Sequence, residues 1–344
     1  MSWLRKTIVH LALARSDAAL IKASGGVPRT VRGQTLDPRM QFLEAEARKR
    51  AIPWEAMTPA MLRAGEQQGS ELFGGAKVGG VRNEKVYVTG RSHSVPCRLY
   101  LPTVRDNSAA MLVYLHFGGG VIGTLESCHR LCGLIAKAAG APVLSVDYRL
   151  APEHKFPAGL EDCMQVYSWA CDNAARYGAP VGKAAVGGDS MGGHFAAIIA
   201  QQFRTTKSPV VQLLIYPAVD FMSETPSMHD FADAWPLTAE TVDFFMKQYL
   251  PVNADPSDPR LSPIRTQDLR GLAPALIYTA GFDMLQDQGK QYADRLHDAG
   301  VKAAYKCFES LPHGFVAFPS AAPAAEAAIR EIARDTAAAL KGQR

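Results

Sequence analysis

The sequence predicts an α/β fold: a mostly parallel central sheet flanked by helices, with a helical cap over one edge. Three observations carry this expectation. From Met111 onward, short apolar runs alternate with longer stretches of helical period, the pattern of a parallel sheet buried on both faces. Residues 218–262 break that alternation with one helical stretch, a Pro/Asp-rich exit and few strand signals. A length of 344 residues, 47% of them apolar, suffices for one large core with a smaller lid.

Taken in order, residues 1–75 read as helices broken by loops, an N-terminal helical segment that contributes to the cap. Leu4, Ile8 and Leu11 recur at helical spacing. Leu36-Asp37-Pro38 starts a helix over residues 39–50, Thr58-Pro59 starts another, and the Gly-rich residues 70–80 read as a hinge. From Lys85 the period changes to two, so 86–88 and 95–101 read as paired strands ending at Pro102. Strands are expected at 111–115, 143–146, 184–186, 210–216, 275–279 and 303–308. Helices are expected at 130–139, 160–173, 193–203, 289–299 and 324–340. The main α/β body therefore spans 80–217 and 263–344, and 218–262 is an inserted cap segment with a helix at 238–249. An insert at the carboxyl end of a strand lies over the edge of the sheet where ligands bind.

Composition narrows the function. A formal charge of +4 without a dense Lys/Arg run argues against a nucleic-acid partner. The six cysteines sit mostly inside apolar periodic segments, which reads as buried thiols in a reducing compartment, the cytoplasm, rather than a disulfide framework. Cys128 and Cys132 lack the partner pair of a zinc site. Basic residues and a short apolar run interrupted by His10 open the chain, and favour an amphipathic helix over a cleaved signal. Weak interfacial contact is the most that helix offers a membrane, and no stretch is long and apolar enough to span one.

Gly188-Asp189-Ser190-Met191-Gly192 matches the pattern G-x-S-x-G between an apolar strand and a helix. A serine on a tight strand-to-helix turn tolerates no neighbouring Cβ, hence the glycines. Its hydroxyl is a weak nucleophile that needs a base and an orienting acid, in the chain order serine, acid, histidine. Of the histidines downstream, His229 falls in the insert and His297 in a helix. His313 follows the strand 303–308 within Leu311-Pro312-His313-Gly314-Phe315, where a base can reach the serine. Asp283 stands at the carboxyl end of the strand 275–279, while Asp287, one turn later, reads as a helix cap. His116-Phe117-Gly118-Gly119-Gly120 follows the strand 111–115 and offers backbone N–H groups to an oxyanion. That loop has a competing reading. Gly118 to Gly123 spells G-x-G-x-x-G, with Asp147 ending the next strand, as in an NAD(P)-dependent oxidoreductase. The oxidoreductase leaves Ser190, Asp283 and His313 without a role, whereas acyl transfer uses every segment.

These motifs, with the stretches Tyr148 to Ala158, Asp283 to Gly289, Pro236 to Thr238 and Asp258 to Pro263, resemble the hormone-sensitive-lipase-like family of bacterial esterases. The resemblance runs over about residues 35–340. It implies an α/β-hydrolase fold, Ser190, Asp283 and His313 as a catalytic triad, and an oxyanion hole from the N–H groups of Gly118, Gly119 and Met191. It also implies hydrolysis of short-to-medium acyl esters. A small-molecule ester is the expected partner and a monomer or homodimer the expected state, and no metal or organic cofactor is called for. A non-catalytic ligand receptor on this scaffold, as among plant relatives, loses the base, and His313 is present. Departures from the family pattern stand out. Phe117 takes the place of the first glycine after the histidine, and Gly120 that of an aromatic residue. Met191 replaces the usual alanine, and Gln288 a common glutamate. Phe117, Gly120 and Asp189 are expected to line the substrate pocket, with room beside Gly120 for tertiary-alcohol esters.

Overall fold

A strand sandwiched between helices must be apolar on both sides, and the central strands here are buried at every residue. The computed structural model describes residues 2–90 and 92–343, so the outermost bounds at residues 1 and 344 lie outside it. In chain order the first elements are α1 (Ser2–Leu13), α2 (Asp17–Ala23), a small ribbon of β1 (Thr30–Val31) and β2 (Gln34–Thr35), α3 (Pro38–Arg48) and α4 (Pro59–Phe73). The body follows with β3 (Val81–Thr89), β4 (Ser94–Pro102), β5 (Met111–Leu115), α5 (His129–Ala139), β6 (Val143–Val146), α6 (Ala158–Asn173), β7 (Ala184–Asp189), α7 (Met191–Gln202) and β8 (Gln212–Ile215). Helices α8 (Pro226–Asp230) and α9 (Ala239–Tyr249) fill the insert, before β9 (Ala275–Phe282), α10 (Gln286–Asp298), β10 (Ala303–Pro312) and α11 (Pro323–Leu340).

Strands β3 to β10 form one sheet in the order β10-β9-β8-β7-β5-β6-β4-β3. All run parallel except β4, which pairs antiparallel with both β3 and β6. Helices α5 and α11 cover one face, and α6, α7 and α10 the other. Each fully buried Leu, Ile or Val of these layers contributes roughly 1.5–3 kcal/mol of transfer free energy. This is the mostly parallel, two-sided sheet that the alternation predicts.

Three strands outrun their apolar stretches. β7 continues to Asp189, β9 to Phe282 and β10 to Pro312, each beyond the expected end. Their last residues include glycines and polar side chains, so hydropathy fades before the ladder of hydrogen bonds does. Helix α4 runs on through Ser70 to Phe73, which starts the expected hinge only at Gly74. Helix α1 also docks differently from expectation. Leu13 is buried and His10 Nε2 donates to the Leu72 carbonyl at 3.1 Å, while Leu4, Ile8 and Leu11 remain 60, 58 and 67% exposed. The regular stripe faces outward because the less regular set Val9, His10 and Leu13 makes the contact with the core and the end of α4.

Charged side chains tie the N-terminal segment to the insert. Arg29 pairs with Glu44 and Asp233, Arg48 with Asp233 at 3.2 Å, and Arg32 with Asp230 at 3.5 Å as well as with Asp287 of α10 at 3.0 Å. Arg63 of α4 reaches the body, donating to the carbonyls of Val121 at 2.9 Å and Ala151 at 2.8 Å.

Candidate active site

Ser190 links β7 to α7 at φ 53° and ψ −117°, a conformation that costs free energy unless its surroundings impose it. They do. The Ser190 N–H donates to the Ile215 carbonyl at 2.9 Å, and the Ser190 carbonyl accepts from the His194 N–H at 2.9 Å. A Cβ on Gly188 or Gly192 would run into the Leu115 main chain, so these flanking positions admit no side chain.

His313 follows β10 directly and Asp283 follows β9 directly. Because these strands are parallel neighbours with Pro312 opposite Phe282, their ends bring base and acid together. His313 Nδ1 donates to Asp283 Oδ2 at 2.8 Å, and the Ser190 hydroxyl donates to His313 Nε2 at 2.9 Å. Asp283 Oδ1 accepts from the Leu285 N–H at 2.9 Å, which fixes the carboxylate plane. All three side chains are buried, leaving Ser190 8% and His313 7% exposed. Asp287 lies outside this chain. It accepts from the Ser227 N–H at 2.8 Å and pairs with Arg32, holding the insert instead of capping α10, whose cap position is Leu285.

Gly118, Gly119 and Met191 line the same cavity as Ser190 and His313. Gly118 and Gly119 turn with φ of 121° and 62°, which leaves their N–H groups, like that of Met191 at the start of α7, without an acceptor among the described residues. Unpaired donors beside a serine suit a developing oxyanion. The dinucleotide alternative fares badly here. Val121 and Ile122 N–H groups fold back to the Gly118 carbonyl at 2.9 and 3.0 Å, and α5 begins only at His129. Among the described residues no helix N-terminus opens from this loop to hold a pyrophosphate.

Of the expected pocket residues, Phe117 lines the cavity, and two do not. Gly120 is covered by Tyr249, whose ring carbon would stand 2.6 Å from a Cβ placed there. The room expected from the missing aromatic is therefore filled by a ring from the insert. Asp189 is fully buried on the α5 side of the sheet. It accepts from Tyr114 Oη at 3.0 Å, Cys128 Sγ at 3.2 Å and Tyr216 Oη at 2.9 Å. Burial pushes its carboxyl up to about 6, against the pull of those hydrogen bonds and of His313. The Tyr216 ring in turn packs 4.7 Å from the His313 ring.

The stretch Tyr148 to Ala158, which spacing does not explain, acquires a physical account. Tyr148 Oη donates to the His116 carbonyl at 2.8 Å, and the Ala151 N–H to the Gly120 carbonyl at 2.8 Å. Lys155 donates to the carbonyls of Lys247, Gln248 and Leu250 at the end of α9, at 3.0, 2.7 and 2.8 Å. One segment thus holds both the glycine loop and the insert. Gln288 accepts from the Val219 and Asp220 N–H groups at 3.2 and 3.1 Å, fixing where the insert leaves the sheet. Tyr114, Tyr216, Phe245 and Tyr249 carry no pattern that would have singled them out, since each stands in or beside an ordinary apolar run.

The cavity over the serine measures about 2360 Å³, and Phe221, Leu285 and Phe245 give it apolar walls. Comparisons with known proteins bear on the fold and the class of activity. The family model described as alpha/beta hydrolase fold matches residues 112–317. The carboxylic ester hydrolase LipN of Mycobacterium tuberculosis is 38% identical over 303 residues, 85% of this chain and 80% of that protein. An ethyl acetate hydrolase of Pseudomonas putida is 35% identical over 284 residues, 80% of this chain and 89% of its own. Among solved structures, an ester hydrolase from the metagenome of Lake Arreo superposes with a TM-score of 0.82 at 34% identity, covering 88% of this chain and 98% of that one.

Proposed function

The chain belongs to the hormone-sensitive-lipase-like esterases of the alpha/beta hydrolase fold and is a carboxylic ester hydrolase, and from this premise we propose how its residues divide the chemistry. Ser190 Oγ attacks the ester carbonyl while His313 Nε2 takes its proton. Asp283 keeps the proton on Nδ1 and stabilises the imidazolium that forms. The N–H groups of Gly118, Gly119 and Met191 hold the oxyanion. Collapse expels the alcohol, protonated by His313, and leaves an acyl group on Ser190. Water, deprotonated by His313, then releases the acid by the same route. The observation that carries this reading is the unbroken hydrogen-bond chain Ser190–His313–Asp283, at 2.9 and 2.8 Å, opening on an apolar cavity. Labelling with an alkyl phosphonate tests it: one adduct on the Ser190 peptide is expected, and an adduct formed equally in Ser190→Ala would refute it.

Short-to-medium acyl esters of unbranched alcohols are the substrate class we assign. The apolar cavity supports it, as does the relative that hydrolyses ethyl acetate. Tertiary-alcohol esters lose their support at Gly120, where Tyr249 takes the space. In this reading residues 1–75 and 218–262 form the cap over a body of residues 80–217 and 263–344. The ion pairs from Arg29 and Arg48 to Asp233 and from Arg32 to Asp230 of the insert support that division. A cytoplasmic location rests on six free cysteines, five of them buried. Weak interfacial contact rests on the exposed Leu4, Ile8 and Leu11 beside Arg5 and Lys6.

A further inference from the structure

Two rings of the insert stand where the glycine loop has no side chains. A Cβ on Gly119 would lie 2.5 Å from the Phe245 ring, and one on Gly120 would lie 2.6 Å from the Tyr249 ring. Phe245 and Tyr249 are four residues apart on α9 and therefore share a face. Both also line the cavity that holds Ser190 and His313. Tyr249 is 2% exposed, with ring centroids of Phe156, Phe195 and Phe221 at 5.9, 6.5 and 6.5 Å. Its hydroxyl is buried with no hydrogen-bond partner among the described residues, so what it brings to the cavity is the ring. Phe245 is half-buried. The arrangement is held from one side. Lys155 and the Phe156 N–H grip the end of α9, the latter through the Tyr249 carbonyl at 3.0 Å, while the Ala151 N–H grips Gly120. Loop and rings are therefore fixed relative to each other, and a substrate meets a wall rather than a gap.

We propose that Phe245 and Tyr249, laid against Gly119 and Gly120, form a steric wall beside the oxyanion loop that excludes esters with a quaternary carbon next to the ester group. The proposal rests on the reading of Ser190 as nucleophile, since only that places the scissile carbonyl at this loop. An unbranched chain can turn away from two ring faces. A tert-butyl group, equally wide in every rotamer, cannot.

The test compares kcat/KM for ethyl acetate, tert-butyl acetate and ethyl pivalate in the parent enzyme, Phe245→Ala, Tyr249→Leu and Tyr249→Phe, with thermal melting to confirm folding. The parent should strongly prefer ethyl acetate. Phe245→Ala should raise the branched-to-linear ratio for at least one branched ester by about tenfold or more. Which ester gains tells whether the wall faces the alcohol or the acyl side. Tyr249→Phe, which keeps the ring, should keep the parent's ratio. Tyr249 is a core residue, so Phe245→Ala is the deciding arm if Tyr249→Leu melts early. Ratios unchanged in both truncations overturn the wall, as does a parent enzyme that cleaves tert-butyl acetate nearly as fast as ethyl acetate. Ser190→Ala separates the two ideas: residual activity there sinks the nucleophile assignment, whereas an inert Ser190→Ala with unchanged ratios sinks the wall alone.

Discussion

Hydrogen bonds hold Ser190, His313 and Asp283 in one line, and in the proposed mechanism each depends on the next. Ser190→Ala and His313→Ala should therefore each lower kcat by roughly 10⁴-fold or more, and the double variant little further. Near-additive losses in steady-state kinetics would contradict a single catalytic unit. Asp283→Asn should damage turnover far more than Asp287→Asn, because Asp287 serves the Ser227 N–H and Arg32. Asp189 makes a different prediction. Its carboxyl is raised from an ordinary 3.8 to about 6, so the folded state binds the proton more tightly than the unfolded chain. The stability this adds is complete below pH 3.8 and is lost as pH rises through 6. Across that window the parent's advantage over Asp189→Asn should shrink by about 3 kcal/mol, the equivalent of a two-unit shift. Urea unfolding at pH 4 and pH 7 measures it; parallel pH profiles for the two proteins would rule it out.

Elements were legible where hydrophobic period alone decides them. β5 and β6 begin and end where their apolar runs do, and α3 begins at Pro38 behind Asp37, whose carboxylate accepts the N–H groups of Arg39 and Met40. α8 and the β1–β2 ribbon are too short to show a period, and the ends of β7, β9 and β10 trade hydrophobicity for site chemistry. Between elements, Lys155 makes an experiment of the stretch Tyr148 to Ala158. Lys155→Met removes a donor from three carbonyls at the end of α9. A loss of about 1–3 kcal/mol in unfolding free energy is expected, and an unchanged urea midpoint would mean that α9 is held by its aromatic packing alone.

At the scale of the whole molecule, the N-terminal segment and the insert meet through arginine–carboxylate pairs above an apolar cavity. Leu4 and Ile8 stand at its rim, and with Leu11 they leave an apolar stripe in contact with water. Together with Arg5 and Lys6, that stripe predicts weak, salt-sensitive adsorption to anionic vesicles. Co-sedimentation should fall when Leu4, Ile8 and Leu11 are changed to serine, and should fall for the parent at high salt. If the parent does not sediment with anionic vesicles at low salt, α1 is only a cover for the cap.

Alternating apolar runs determine a sheet covered on both faces, and a serine between glycines at a strand-to-helix junction determines the tight turn that we propose carries the nucleophile. Both are local statements, because burial and backbone sterics act over a few residues. The partners of Ser190 were legible for the same reason: Asp283 and His313 each follow a strand, and parallel strands bring such ends to one edge. What surrounds them is not local. Whether the space beside Gly120 is open depends on a ring 129 positions away in sequence, Tyr249. Whether Asp189 faces substrate or core depends on Tyr114, Cys128 and Tyr216, which reach it from other elements. Those contacts exist only once the sheet has assembled and the insert has folded back onto it, so only the tertiary structure decides them.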